Sequence, residues 1–203
     1  MYRIHSRDYL RRAIKELRKN TPQSLFYAAF ELRCGVEARL QQYLGAQESI
    51  SEKKKKDWQV AKLKKNLDKV FNTGDKIVEF TYLDKETDTV LDNFYYTPVN
   101  SKLKKMAEQV GNYIHAMQRY HPPGDLWWSK ARDFLEVMYS ELEIANKGTV
   151  LGVPLVNKKK RSIEMMVEPA QDENVKSLYK RVGSTGSTIK IRVDYLDNLP
   201  PKP

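Results

Sequence analysis

The sequence predicts a mainly helical protein of the α+β class, in which a bundle of four or five helices carries an inserted β-hairpin and a small C-terminal β-rich unit. Three patterns support this prediction. Segment 22–44 has apolar residues at helical spacing, segment 76–96 is rich in β-branched and aromatic residues, and parts of 149–203 alternate apolar with polar residues. Both spacings place apolar side chains on one face of an element. The chain therefore divides into a helical unit, 1–148, and a β-rich unit, 149–203, which ends in a proline-rich tail.

The central element is a predicted helix from Pro22 to Leu44. Thr21 is a suitable N-cap, and proline is favoured at the first helical position. Arg33 and Glu37 lie beside the apolar stripe at a spacing of four, so the two side chains can pair with each other. A helix with such a wide apolar stripe must pack on at least two neighbours. The stripe comprises Leu25, Ala29, Leu32, Val36, Leu40 and Tyr43, widened by Phe26, Phe30 and Leu44.

Further helices are predicted on either side of this element. The segments 8–19, 55–71, 101–119 and 125–148 each carry apolar residues three or four positions apart. Ser101 is the expected N-cap of the third of them. These helices supply the neighbours that the central helix needs.

The strands are predicted from period-two patterns and β-branched composition. The hairpin at 76–96 has a polar connection at 84–88, and a short helix at 172–181 interrupts the C-terminal unit. The predicted strands are 77–83, 90–96, 150–156, 163–167 and 189–195.

Composition favours a soluble protein with an affinity for polyanions. The formal net charge is +10, with 40% hydrophobic and 31% charged residues. An excess of positive charge attracts nucleic acid or an acidic protein surface. Lysine-rich soluble proteins without such partners are also common. The charge alone therefore fits both a polyanion-binding protein and an ordinary soluble one.

The expected location is the cytoplasm. No apolar run approaches the length of about 20 residues that spans a bilayer, and the N-terminal residues lack the apolar core of a secretory signal. Cys34 is the single cysteine, so no intramolecular disulfide can form, which fits a reducing compartment. We expect Cys34 to be an inert core thiol, and we predict no membrane partner.

Two groups of basic residues are candidate nucleic-acid contacts. Lys62, Lys65 and Lys69 project from one face of the helix predicted at 55–71, and Lys158, Lys159, Lys160 and Arg161 form a basic loop. Such residues would contact phosphates and make binding strongly dependent on salt. The alternative for both groups is an ordinary solvated surface.

Metal and cofactor sites are not predicted. The acidic turn at 84–88 resembles a calcium loop, but Thr89 and Tyr95 occupy the positions that require glycine and glutamate. Gly183–Thr188 follows a helix and precedes a strand, the reverse of the order in a phosphate-binding loop. No cluster of histidine, cysteine or carboxylate has ligand spacing. The sequence therefore implies no metal and no cofactor.

His115 is the candidate catalytic residue. Asn112 precedes it by one helical turn, and Arg33 with Glu37 could face it across the bundle. Such a cluster could bind a phosphate or orient a 2′-hydroxyl. The alternative is a half-buried histidine with a purely structural role.

The segments LFYAAFELRCGVEARL and VGNYIHAM, followed by a long helix, resemble the HEPN superfamily of bacterial helical domains over residues 8–147. That family includes toxin ribonucleases and non-catalytic partners in defence and toxin–antitoxin systems. Its ribonuclease motif places an arginine a few residues before a histidine. His115 matches the histidine, whereas Glu108, Gln109 and Val110 stand where the arginine is expected, and arginine would stabilise the transition state.

The resemblance implies an accessory or binding module that contacts nucleic acid, either RNA or DNA, or an acidic protein partner in prokaryotic antiviral defence or a toxin–antitoxin system. The alternative is a metal-independent endoribonuclease that uses His115, with Arg33 and Glu37 as electrostatic support. A third hypothesis is a structural subunit whose long helices pair in a homodimer.

Overall fold

The computed structural model describes residues 4–47, 50–55, 59–114, 120–152, 155–157, 162–164 and 189–200. Helices and a small antiparallel sheet together confirm the predicted α+β class. The helices are α1 (Ser6–Lys19), α2 (Pro22–Gly45), α3 (Glu52–Lys55), α4 (Val60–Phe71), α5 (Ser101–Gln109), α6 (Gly111–Ile114) and α7 (Leu126–Ala145). The strands are β1 (Ile77–Asp84), β2 (Val90–Tyr96), β3 (Leu155–Asn157), β4 (Ser162–Glu164) and β5 (Ile189–Leu196). None of the helices in these ranges combines the length and the apolar content that a membrane span requires.

Helix α2 is the centre of the helical packing, with contacts to α1, α4 and α7. All six residues of its predicted stripe are at most 4% exposed. Thr21 and Ser24 form a capping box at its start, and Pro22 is the first helical residue. The prediction for Phe30 is wrong, because its side chain is 51% exposed. The buried surface of α2 extends instead to Ala28 and Arg39.

Two predicted helices are interrupted. The segment 55–71 contains the end of the short helix α3 and then α4, which begins at Val60. The segment 101–119 forms α5, a turn at Val110 and α6. The N-cap of α5 is Asn100, whose side chain accepts from the Leu103 amide. The prediction of Ser101 as N-cap is wrong, because Ser101 is already the first helical residue; its hydroxyl donates to Asp75.

The three-stranded sheet has the order β2-β1-β5 and is antiparallel throughout. The predicted hairpin supplies β1 and β2, whereas β5 arrives from more than 90 residues later in the chain. Val78, Phe80 and Tyr82 of β1 point to the same face as Phe94 and Tyr96 of β2, and all five belong to the core. The division of the chain at 148 remains a prediction, although β5 shares a sheet with the hairpin.

The second sheet is a pair of short strands, β3 and β4, in antiparallel register. Their positions overlap the strands predicted at 150–156 and 163–167, with β3 extending from 155 to 157. The helix predicted at 172–181 and the glycine-rich segment 183–188 lie outside the described residues.

A buried polar cluster joins the end of α7 to α2 and β2. Arg39 is fully buried; its Nε donates to the Tyr43 hydroxyl and the Ala145 carbonyl, and its Nη2 donates to the Gly148 carbonyl at 2.7 Å. The Thr97 hydroxyl accepts from the Gly148 amide at 3.0 Å and donates to the Ala145 carbonyl at 2.9 Å. Tyr43 donates to the Thr97 carbonyl. We call these five residues the polar junction, and they satisfy backbone groups where α7 ends.

Candidate functional site

Arg33 and Glu37 form the ion pair that their spacing predicts. Arg33 Nε lies 3.0 Å from Glu37 Oε1, and each side chain is 21% exposed. The Nη1 atom of Arg33 also donates to the Ala107 carbonyl, at 3.1 Å. Cations are favourable near the C-terminal end of a helix, so this arginine fastens α2 to the last turns of α5.

Partial burial disfavours the charged form of the Glu37 carboxyl in this pair. Desolvation raises the pKa of Glu37, and the Arg33 charge and hydrogen bond only partly oppose it. Because folding raises the pKa of this carboxyl, its contribution favours the folded state at low pH and is lost as the pH rises through the raised pKa. The ion pair lies within α2, and the link between helices is the hydrogen bond from Arg33 to the Ala107 carbonyl.

The predicted catalytic cluster is only partly placed. His115 lies outside the described residues, and Asn112 belongs to α6 without a described side chain. The described structure brings Arg33 and Glu37 together, but it does not locate the imidazole and amide that would complete the cluster. The catalytic role of His115 remains a hypothesis.

Cys34 lies next to Arg33 on α2 and is partly buried. Burial, followed by the nearby carboxylates of Glu37 and Glu31, raises the pKa of its thiol from 9.0 to about 11. Only the thiolate is nucleophilic. The raised pKa agrees with the inert thiol that the sequence predicts, but Cys34 is only partly buried and does not belong to the core.

We expect Cys34 to react at pH 8 with iodoacetamide about a hundredfold more slowly in the folded protein than in the unfolded chain, because the raised pKa lowers its thiolate fraction by that factor. The alkylation rate, followed by mass spectrometry, should continue to increase above pH 9. The same chain in guanidinium chloride is the control. A folded-state rate that levels off near pH 9 would contradict the assignment.

Two of the three lysines predicted on α4, Lys65 and Lys69, line a groove between α4 and α5, whereas Lys62 is not among the lining residues. Lys62, Lys65 and Lys69 are exposed, and in the described part of the chain neither Lys65 nor Lys69 forms an ion pair. The groove has a volume of about 580 Å³. Its lining residues are Ala61, Lys64, Lys65, Asp68, Lys69, Asn72 and Lys104. We call this surface the lysine groove.

Two lysines of this groove are not among the predicted contacts. Lys64 is 5% exposed and pairs with Asp68, with Asp75 at 4.0 Å. Lys104 comes from α5 and pairs with Glu108 at 3.1 Å. The spacing of residues in the sequence distinguishes Lys64 from its exposed neighbours only weakly. The position of Lys104 in the groove depends on the packing of α5 beside α4, which the sequence does not show. Four lysines against one aspartate leave the lining of the groove positive.

The second basic group, Lys158 to Arg161, lies outside the described residues, between β3 and β4 in the sequence. The described ranges contain no group of three or more residues that could bind a metal ion.

Comparison with known proteins finds no matching family model, no similar curated protein and no similar solved structure.

Proposed function

We propose that this chain is a HEPN-like accessory module that binds nucleic acid, with the lysine groove as its contact surface. The observation that carries this proposal is the pair of exposed lysines, Lys65 and Lys69, beside a positive groove. They lie one turn apart on α4, so their Cβ atoms are about 5–6 Å apart. Both ammonium groups can therefore approach the same sugar–phosphate backbone.

The environment of these lysines keeps their charge available. Within the described chain, the carboxylate of Asp68 is engaged by Lys64 and that of Glu108 by Lys104. These pairs neutralise each other locally, whereas Lys65 and Lys69 have no such partner in that part of the chain. Contacts between lysine and phosphate release condensed counterions and supply sequence-independent affinity. We infer a binding mode that recognises the backbone and not the bases.

The biological setting that we propose is prokaryotic antiviral defence or a toxin–antitoxin system. It rests on the resemblance of residues 8–147 to HEPN domains, some of which are non-catalytic partners in such systems. The motif's arginine is absent, since Glu108, Gln109 and Val110 occupy the positions where it is expected. This absence favours an accessory role over catalysis. The loop from Lys158 to Arg161 would add a second basic contact.

The proposal predicts a specific loss of affinity for a labelled 20-nucleotide RNA or DNA. At 0.1 M salt, replacing both Lys65 and Lys69 with alanine should weaken binding about 25- to 60-fold, since each phosphate contact contributes about five- to eightfold relative to 1 M salt. Fluorescence anisotropy measures this change. The control is Lys85→Ala with Lys130→Ala, which removes the same charge from exposed positions outside the groove. Equal losses in the two double variants would reject the groove as the contact surface.

The same samples test the ribonuclease alternative. RNA recovered after incubation should keep its length on a denaturing gel. If the wild type shortens the RNA and the His115→Ala variant leaves it at full length, the binding proposal is wrong and the protein is a ribonuclease. Full-length RNA without any measurable binding would instead favour an acidic protein partner.

A further inference from the structure

Strand β5 presents an apolar row that the rest of the described fold leaves open. Ile191, Val193 and Tyr195 are 49%, 38% and 60% exposed. They pair with Tyr82, Phe80 and Val78 of β1, so they continue the core face of the sheet. Tyr43 of α2 and Phe71 of α4 pack on Tyr96 of β2 on this face, whereas the apolar side chains of β5 are largely exposed.

The outer edge of β5 is also suited to strand pairing. The sheet order places β5 at one side, with β1 as its neighbour among the described strands. The strand is eight residues long, lacks proline, and pairs with β1 without a register shift. Native edge strands are normally protected by shortness, proline or bulges. Among the described residues, the protection that β5 has against association comes from the charges of Lys190, Arg192 and Asp194.

These charges are self-complementary in one antiparallel register. If two copies of β5 meet with Val193 opposite Val193 of the second copy, Arg192 lies opposite Asp194 and Ile191 lies opposite Tyr195. Opposite charges and aromatic–aliphatic pairs at facing positions stabilise antiparallel strands. A register centred on Arg192 places two arginines in opposition, and one centred on Asp194 places two aspartates in opposition.

We propose that β5 pairs with β5 of a second copy about a two-fold axis at Val193, which joins the two sheets into one of six strands. Within one chain, Arg192 Nε already pairs with Asp194 Oδ2 at 3.0 Å. In the dimer the same two groups exchange partners across the axis and form two equivalent pairs. The exposed apolar rows meet side by side in the same step, which reduces the exposure of Ile191, Val193 and Tyr195 to water.

Charge-swap variants test this arrangement by sedimentation equilibrium. The wild type should have about twice the chain mass of 23.7 kDa. Arg192→Asp and Asp194→Arg should each be monomeric, because each places like charges opposite one another. An equimolar mixture of these two variants should again be dimeric, since every facing pair then has opposite charges. A monomeric wild type, a dimeric single variant or a monomeric mixture would overturn the proposal.

Oxidative cross-linking gives a second measurement that does not depend on the charge variants. In a Cys34→Ala background, Val193→Cys should form an intermolecular disulfide, because facing Cα atoms about 4.5–5.5 Å apart fit disulfide geometry. Ile191→Cys should not, as its symmetry mate is displaced about 13 Å along the strands. Equal cross-linking of the two variants, or none with Val193→Cys, would reject the register.

Discussion

Replacing Arg39 with methionine is expected to lower the free energy of unfolding by about 2–4 kcal/mol, because each buried polar group left without a partner costs about 1–3 kcal/mol. The guanidinium donates to the carbonyls of Ala145 and Gly148 and to the Tyr43 hydroxyl. Methionine fills a similar volume but donates to none of them. The Thr97 hydroxyl still donates to the Ala145 carbonyl. The Gly148 carbonyl loses its hydrogen bond from Arg39, and we expect this loss to make the larger contribution.

The measurement is the urea midpoint at constant slope, which separates stability from changes in the unfolded state. Arg132→Met is the matched control, since Arg132 lies on the exposed side of α7 and pairs with Glu136. Exposed pairs contribute about 0–1 kcal/mol. Equal shifts in the midpoint for Arg39→Met and Arg132→Met would show that the polar junction does not stabilise the fold.

Gly148→Ala is the second large effect that we expect. An added Cβ would lie 2.5 Å from Thr97 Oγ1, 2.6 Å from the Tyr95 carbonyl oxygen and 2.8 Å from the Thr97 amide nitrogen. Two of these neighbours are backbone atoms of the chain around the end of β2, which cannot rotate away as a side chain would. Overpacking typically costs about 1–3 kcal/mol, and the hydrogen bond from the Gly148 amide to Thr97 would be strained in addition.

Gly45→Ala is the control for this substitution, because no atom outside its chain neighbours and its own helix backbone lies within 4 Å of the added Cβ. Gly45 ends α2, and alanine is favoured over glycine in helices by up to about 1 kcal/mol. The two variants should therefore move the urea midpoint in opposite directions. A destabilisation by Gly45→Ala as large as that by Gly148→Ala would contradict the packing described here.

The local features of this fold could be predicted from the sequence. The stripe of α2 and its cap at Thr21 follow from spacing and residue type, and the hairpin follows from β-branched and aromatic residues on both sides of a polar turn. The predicted burial of Phe30 was wrong because periodicity identifies the apolar face of a helix but not how much of that face the neighbouring helices cover. The prediction of Ser101 as N-cap was wrong because Asn100 and Ser101 are both favoured capping residues, and the helix begins one residue earlier than predicted.

The long-range features could not be predicted in this way. Arginine is expected at the surface, and Arg39 is buried because its acceptors are backbone carbonyls at 145 and 148, which carry no residue signature. The pairing of β5 with β1 depends on strands separated by more than 90 residues. For the candidate site, the exposed lysines of α4 were predicted, whereas Lys104 joins them only because α5 packs beside α4.

The most direct test of the proposed function is the salt dependence of binding to a short labelled nucleic acid. Contacts by Lys65 and Lys69 in the groove, and by Lys62 one turn before Lys65 on α4, would neutralise about three phosphates, so a plot of log K against log salt should have a slope of about −2 to −3. The variant with alanine at both Lys65 and Lys69 should flatten this slope by about 1.4 to 1.8, because each lost contact removes about 0.7–0.9. A wild-type slope near zero, or the same slope in both proteins, would contradict an electrostatic nucleic-acid contact at the lysine groove.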